Sequence, residues 1–149
     1  MEKTFIRVRS VKDIAISVSL IILGSVLVSL PTGTGVNIAG FFMISAGLIL
    51  IFILKSGYKD TETGVLYKNK DYYFQQAMNA PISSALASKP ESIDLSEASK
   101  GNAVKLEIYY SRTSGKAYLQ LFEYIPYKYE PCSKMYEYGL ERIEKLIKQ

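Results

Sequence analysis

Between Asp13 and Lys55 the sequence carries no charged side chain, and near the middle of that stretch stands Pro31-Thr32-Gly33-Thr34-Gly35. A charge at the centre of a membrane helix costs about 2.5 to 3.5 kcal/mol on insertion scales, so a long uncharged run constrains the chain strongly. The pattern predicts a transmembrane helical hairpin over 14–54, with arms 14–30 and 36–54 and a turn at 31–35. At 1.5 Å per residue the arms reach roughly 26 and 28 Å, against a hydrocarbon core of about 30 Å. The shorter arm reaches further by recruiting Val11 and letting Lys12 and Asp13 extend towards the headgroups. So brief a turn allows only an antiparallel pair, with its backbone polar groups at the interface.

Two other readings fit less well. A buried helical hairpin of a soluble protein would show a polar stripe on the arms, and neither arm has one. A cleaved signal peptide would use residues 1–13 as its basic segment and 14–30 as its apolar segment. That segment exceeds the usual 7 to 15 residues, and no small-x-small site follows it.

Small residues recur along the arms at helical spacing: Ser17 and Gly24, Ser25 and Ser29, Gly40 and Gly47. They allow close backbone approach between membrane helices. They either pack the hairpin against itself or offer a face, Gly40/Gly47, to another subunit. The absence of ionisable residues inside the arms argues against a proton relay or ion pathway within this chain. Lys3, Arg7, Arg9 and Lys12 precede the first arm, Lys55 and Lys59 follow the second, and the turn is uncharged. Both flanks then belong on the cytoplasmic side, as expected at an inner (plasma) membrane. Lys12, Lys55 and Lys59 are the candidate contacts with the lipid surface.

Residues 1–13 form a basic N-terminal segment and 55–149 a cytoplasmic domain of mixed α+β class. Of the net charge of +4, the segment carries +2 (Lys3, Arg7, Arg9 and Lys12 against Glu2 and Asp13) and the domain the rest. So balanced a domain implies no nucleic-acid partner. One cysteine, Cys132, permits no internal disulfide, as expected of a reducing compartment.

The clearest element in the domain is a β-hairpin. Val104–Tyr110 and Ala117–Phe122 alternate with period two around Arg112-Thr113-Ser114-Gly115. Pairing Ser111 with Lys116 places Ile108 opposite Leu119 and Leu106 opposite Leu121 on a core face. Tyr109 with Tyr118, Glu107 with Gln120 and Lys105 with Phe122 then share the other face. Two short strands, 65–67 and 72–74, are expected around a turn at 68–71. A short helix is expected from Asn79 or Pro81 to before Lys89-Pro90, and a loop over 91–102 with one helical turn near 95–99. A terminal helix is expected from Ser133 or Lys134 to Ile147, capped by Ser133, with Tyr136, Leu140, Ile143 and Ile147 as its apolar stripe. The order is approximately ββαββα, an antiparallel sheet with packed helices.

Catalytic chemistry has little support. The chain has no histidine, hence no Ser-His or Cys-His pair and no usual zinc site. No phosphate-binding glycine loop of standard spacing occurs, and the carboxylates show no ligand spacing. No cofactor or metal is expected, and no enzyme activity. Cys132, between Pro131 and Ser133-Lys134, reads as a thiol at a helix N-terminus or as a small buried residue.

All twelve tyrosines lie beyond Lys55, several of them in Tyr124-Ile125-Pro126-Tyr127-Lys128-Tyr129 and at Tyr136 and Tyr138. Tyrosine supplies large contact area at low entropy cost, and two prolines in the run suit an exposed edge. Tyr124, Tyr127, Tyr129 and Tyr136 are therefore the candidate partner contacts, unless those rings fill the core. The expected function is a non-catalytic membrane-anchored module that binds another protein. The alternatives are a lipid-headgroup sensor using Lys55, Lys59, Lys68 and Lys70, and an accessory subunit of a transporter or secretion complex. The order of parts is similar in general layout to bacterial membrane-anchored pleckstrin-like domains. That fold has seven strands, however, and four or five are readable here.

Overall fold

A computed structural model describes residues 3–148, so Met1, Glu2 and Gln149 at the ends of the expected segment and domain lie outside the described residues. The chain divides into two compact units, Arg7–Gly57 and the residues on either side of it. Two long apolar helices make up most of the first. The second is an α+β domain on a seven-stranded sheet.

Helices α1 (Val11–Ser29) and α2 (Thr34–Ile53) form the hairpin. The first starts one turn earlier than its apolar residues require, because Ser10 and Asp13 form a capping box. Asp13 N–H donates to Ser10 Oγ at 3.3 Å and Ser10 N–H to Asp13 Oδ2 at 2.8 Å. Pro31 stops α1 by excluding the helical conformation from Leu30, which is extended. The Asn37 side chain lies beside the carbonyls of Leu27 and Leu30; turned towards them, its amide nitrogen donates to both, at 3.2 and 3.3 Å. Pro31 has no N–H to give the Leu27 carbonyl, which takes a 3.4 Å bond from the Leu30 N–H instead, so the contact helps complete the end of α1.

The helices meet through their smallest residues. A Cβ on Gly24 would stand 2.6 Å from the Gly40 carbonyl oxygen, one on Gly40 2.7 Å from that of Gly24, and one on Gly47 2.8 Å from that of Ser17. Ser17 is buried at this seam, its hydroxyl donating to Asp13 O at 2.9 Å. Ser25 and Ser29 turn their hydroxyls back onto Ile21 O and Ser25 O, both at 2.8 Å. The bulky residues, among them Ile22, Leu23, Phe41, Phe42 and Phe52, point outward and are exposed.

In the domain, β3 (Leu66–Phe74), β4 (Val104–Ser111) and β5 (Lys116–Ile125) are antiparallel neighbours, preceded in the sheet by β1 (Phe5–Val8) and β2 (Gly57–Asp60). The β4–β5 register is the one that alternation requires: Ser111 with Lys116, Ile108 with Leu119, Leu106 with Leu121. The edge beyond β5 is shared by β6 (Lys128–Pro131), which pairs its second half, and β7 (Tyr136–Gly139), which pairs its first half. Between them the chain bulges at Leu121. The Leu121 carbonyl accepts from the Cys132 and Ser133 N–H groups, and its own N–H donates to Ser133 Oγ.

Helices α3 (Asn79–Ser88) and α4 (Glu144–Lys148, continuing a 3₁₀ turn at Leu140–Ile143) supply the partners of one sheet face. Ile82 and Leu86 from the first, and Ile143 and Leu146 from the last turns, close over Phe74, Leu106, Ile108, Leu119 and Leu121. Each such side chain contributes about 1.5 to 3 kcal/mol by leaving water. Phenol groups cap both helix ends: Tyr138 Oη donates to Leu86 O and Tyr72 Oη to Leu146 O, while Lys70 Nζ reaches Ile147 O at 3.0 Å.

Three sequence expectations are corrected. The two strands at 65–67 and 72–74 are one strand, because β4 pairs continuously from Lys68 to Phe74 and no turn forms at 68–71. The terminal helix does not begin at Ser133. Tyr136-Glu137-Tyr138 also alternates with period two, and pairing with Lys116–Leu119 of β5 satisfies backbone groups that a helix there would leave open. The N-terminal segment, expected only as a basic flank, supplies a strand. Phe5 stacks on Tyr109 (4.2 Å, 12°) and meets Tyr67 and Tyr118 at 5.2 and 5.7 Å. Lys3 Nζ pairs with Asp60 at 3.0 Å and Glu62 at 2.8 Å.

Asp60 is fully buried. Burial alone would raise its pKa, but donors from Thr63 Oγ1, the Glu62 N–H and Lys3 outweigh it and hold the carboxyl at about 2. A depressed carboxylate stabilises fully above the ordinary aspartate pKa of about 3.9 and loses that contribution as pH falls through its folded value. Near-UV circular dichroism should therefore report loosening of the Phe5–Tyr109 stack between about pH 4 and 2. Asp60→Asn should remove that step, and its persistence would assign the step to another group.

Candidate interaction surface

The face of the sheet opposite α3 and α4 receives Lys105, Glu107 and Tyr109 from β4 and Tyr118, Gln120 and Phe122 from β5. At one end of it the β5–β6 connection is a two-residue turn, Pro126-Tyr127, between the paired residues Ile125 and Lys128. Proline at the first position and a positive φ at the second are the pattern of a type II turn, whose second position favours glycine. Tyr127 occupies it at φ 76° and is 97 % exposed. A left-handed conformation costs a residue with a Cβ roughly 1 to 2 kcal/mol. The turn is held in place by the Tyr127 N–H, which donates to Tyr124 Oη at 3.3 Å.

Behind the turn the rings support one another. Tyr129 lies edge-on to Tyr124 at 5.3 Å and 6.0 Å from Tyr73, and its hydroxyl donates to Asn102 O at 2.6 Å. Lys105 Nζ sits over the Phe122 and Tyr129 rings at 4.8 and 5.2 Å. Burial opposes the Lys105 charge, but Glu107 Oε1 at 2.5 Å prevails and its pKa lies above the ordinary lysine value. Burial also raises the Tyr129 phenol, which stays neutral near pH 7. Tyr73, Tyr124, Ile125 and Tyr127 are exposed, while Tyr129 and Phe122 are half-buried beneath them. The result is an ordered aromatic surface with phenol donors and one cation.

Tyr124, Tyr127 and Tyr129 are thus together. Tyr136 is not with them: it pairs with core-facing Leu119, packs on the core and stacks on Tyr138 at 6.4 Å. Alternation along β5 puts Leu119 and Tyr124 on opposite faces, which separates the two tyrosines. Tyr73, Phe122 and Lys105 belong to the surface and were absent from the sequence-based set; the Lys105–Phe122 pairing was the available signal.

The remaining candidates are also placed. Ser17, Gly24, Gly40 and Gly47 lie at the α1–α2 seam, so the Gly40/Gly47 face is occupied by α1 of the same chain. Lys12, Lys55, Lys59 and Lys68 are exposed, whereas Lys70 is engaged by the end of α4. Cys132 stands in the bulge between β6 and β7 and not at a helix N-terminus; it is exposed, and its thiol pKa is raised, first by burial of the sulfur and then by Glu123. Among the described residues no three of His, Cys, Asp and Glu gather where they could hold one metal ion. Compared with protein-family models, curated proteins and solved structures, the chain finds no match.

Proposed function

We propose that this chain is a non-catalytic module anchored in the inner membrane by α1 and α2, with both termini cytoplasmic, and that its domain binds another protein through the Tyr73–Tyr124–Tyr127–Tyr129 surface. The anchoring reading rests on two helices of mean hydropathy 2.1 and 2.4 whose bulky residues face outward, and on cationic flanks at both ends of the pair. The observation that carries the binding reading is Tyr127. A residue with a Cβ is kept at a glycine position, and its ring touches water on nearly all sides. Neither packing nor turn geometry favours tyrosine there, whereas exposed aromatic side chains are what interface centres use. The fitting partner is a protein surface that offers apolar side chains and acceptors for the phenol groups.

The test is affinity purification of the full-length protein from membranes in mild detergent. The double variant Tyr127→Ser, Tyr129→Ser should lose a partner that wild type retains in fixed ratio, with its thermal midpoint measured alongside. Equal retention by both proteins would reject the surface.

A further inference from the structure

At the ends of α1 and α2 next to Ser10 and Ser56, a cavity of about 210 Å³ is lined by Arg9, Asp13, Ile14, Leu50 and Ile51. We infer that this cavity binds an anionic phospholipid, with the phosphate on the Arg9 guanidinium and the start of an acyl chain against Ile14, Leu50 and Ile51. The inference rests on the membrane-spanning reading of the hairpin, under which these residues lie where headgroups meet hydrocarbon.

The two charges lining the cavity are not equivalent. Asp13 is 5 % exposed, and its carboxylate already accepts from three groups, the Ser10 capping donor and two from Ser56. Ser10 N–H and Ser56 N–H donate to Oδ2, both at 2.8 Å, and Ser56 Oγ donates to Oδ1 at 2.7 Å. Those donors compensate its charge and block approach by the ammonium of a zwitterionic headgroup. Arg9 is exposed, lies over the Phe52 ring at 5.9 Å, and makes no ion pair among the described residues. Its planar fork suits the oxygens of a phosphate. Exposed Lys12 and Lys55 flank the same ends of the helices and add positive potential without lining the cavity. An apolar floor, an exposed guanidinium and a satisfied carboxylate together select an anionic lipid over a zwitterionic one.

The experiment reconstitutes full-length protein in nanodiscs of equimolar phosphatidylglycerol and phosphatidylcholine, then transfers it to mild detergent and counts retained lipid by native mass spectrometry. Wild type should retain phosphatidylglycerol preferentially. Arg9→Gln should reduce that preference about fivefold, the equivalent of about 1 kcal/mol for one surface cation. Leu50→Trp, which fills the cavity and leaves every charge in place, should reduce it similarly. Lys12→Gln should leave most of it. Equal losses in Arg9→Gln and Lys12→Gln would overturn the site in favour of diffuse surface charge, and so would an unchanged preference in Leu50→Trp. Release of the wild-type protein from membranes by carbonate would instead overturn the membrane reading beneath it.

Discussion

Gly24→Leu and Gly40→Leu should each break the α1–α2 pair. A Cβ at either position meets backbone of the other helix, the Gly40 or Gly24 carbonyl and the Ile44 or Val28 N–H, all within 2.9 Å. Backbone cannot rotate aside as a side-chain tip can, so the helices must separate along their length. Between membrane helices association comes from close van der Waals contact, and separation forfeits it without compensation from water. The expected cost is about 3 kcal/mol, the upper end for overpacking. It should appear as a lower thermal-aggregation midpoint in detergent and faster proteolysis between the helices. Gly35→Leu is the control: it lies in the first turn of α2 with nothing within 4 Å of its Cβ position, and it should behave as wild type. Because the seam lies within the chain, leucine at Gly40 and Gly47 damages the hairpin itself and does not probe an accessory-subunit contact.

Tyr127→Gly should make the domain more stable and its partner binding weaker. Glycine relieves roughly 1 to 2 kcal/mol of left-handed strain and gives back about 0.5 to 1 kcal/mol in unfolded-state entropy, for a net gain of about 1 kcal/mol. The ring at 97 % exposure contributes little packing that could offset this. Loss of a central interface aromatic costs about 2 kcal/mol or more, a factor of about 30 in affinity. Opposite signs in stability and binding separate a contact residue from a structural one. A drop in both would make Tyr127 a structural residue.

Legibility followed the range of the forces involved. The two long helices could be read because an uncharged, apolar run with one Pro-Gly interruption extends over every residue from Ile14 to Leu54. The β4–β5 register could be read because alternation and a four-residue turn fix it locally. What the sequence did not disclose depends on distant chain. Phe5 joins the sheet only because Tyr67, Tyr109 and Tyr118 present a hydrophobic site more than sixty positions away. The residues from Tyr136 to Ile147 suit a helix by their stripe and a strand by their first four members. The unpaired half of β5 decides between them. For the candidate surface, the tyrosine run pointed to Tyr124, Tyr127 and Tyr129. Tyr73 entered from β3, and Tyr136 left because the bulge at Leu121 carries the chain onward to the first half of β5, where Tyr136 stands opposite core-facing Leu119.

The most direct test of the account places a photo-crosslinking phenylalanine analogue at position 127 of the full-length protein in cells, with the same probe at Leu66, which is also exposed, as reference. A single discrete protein adduct is expected from position 127 and none of that mass from position 66. No adduct at 127, or the same set of adducts from both positions, would contradict a partner seated on the tyrosine surface.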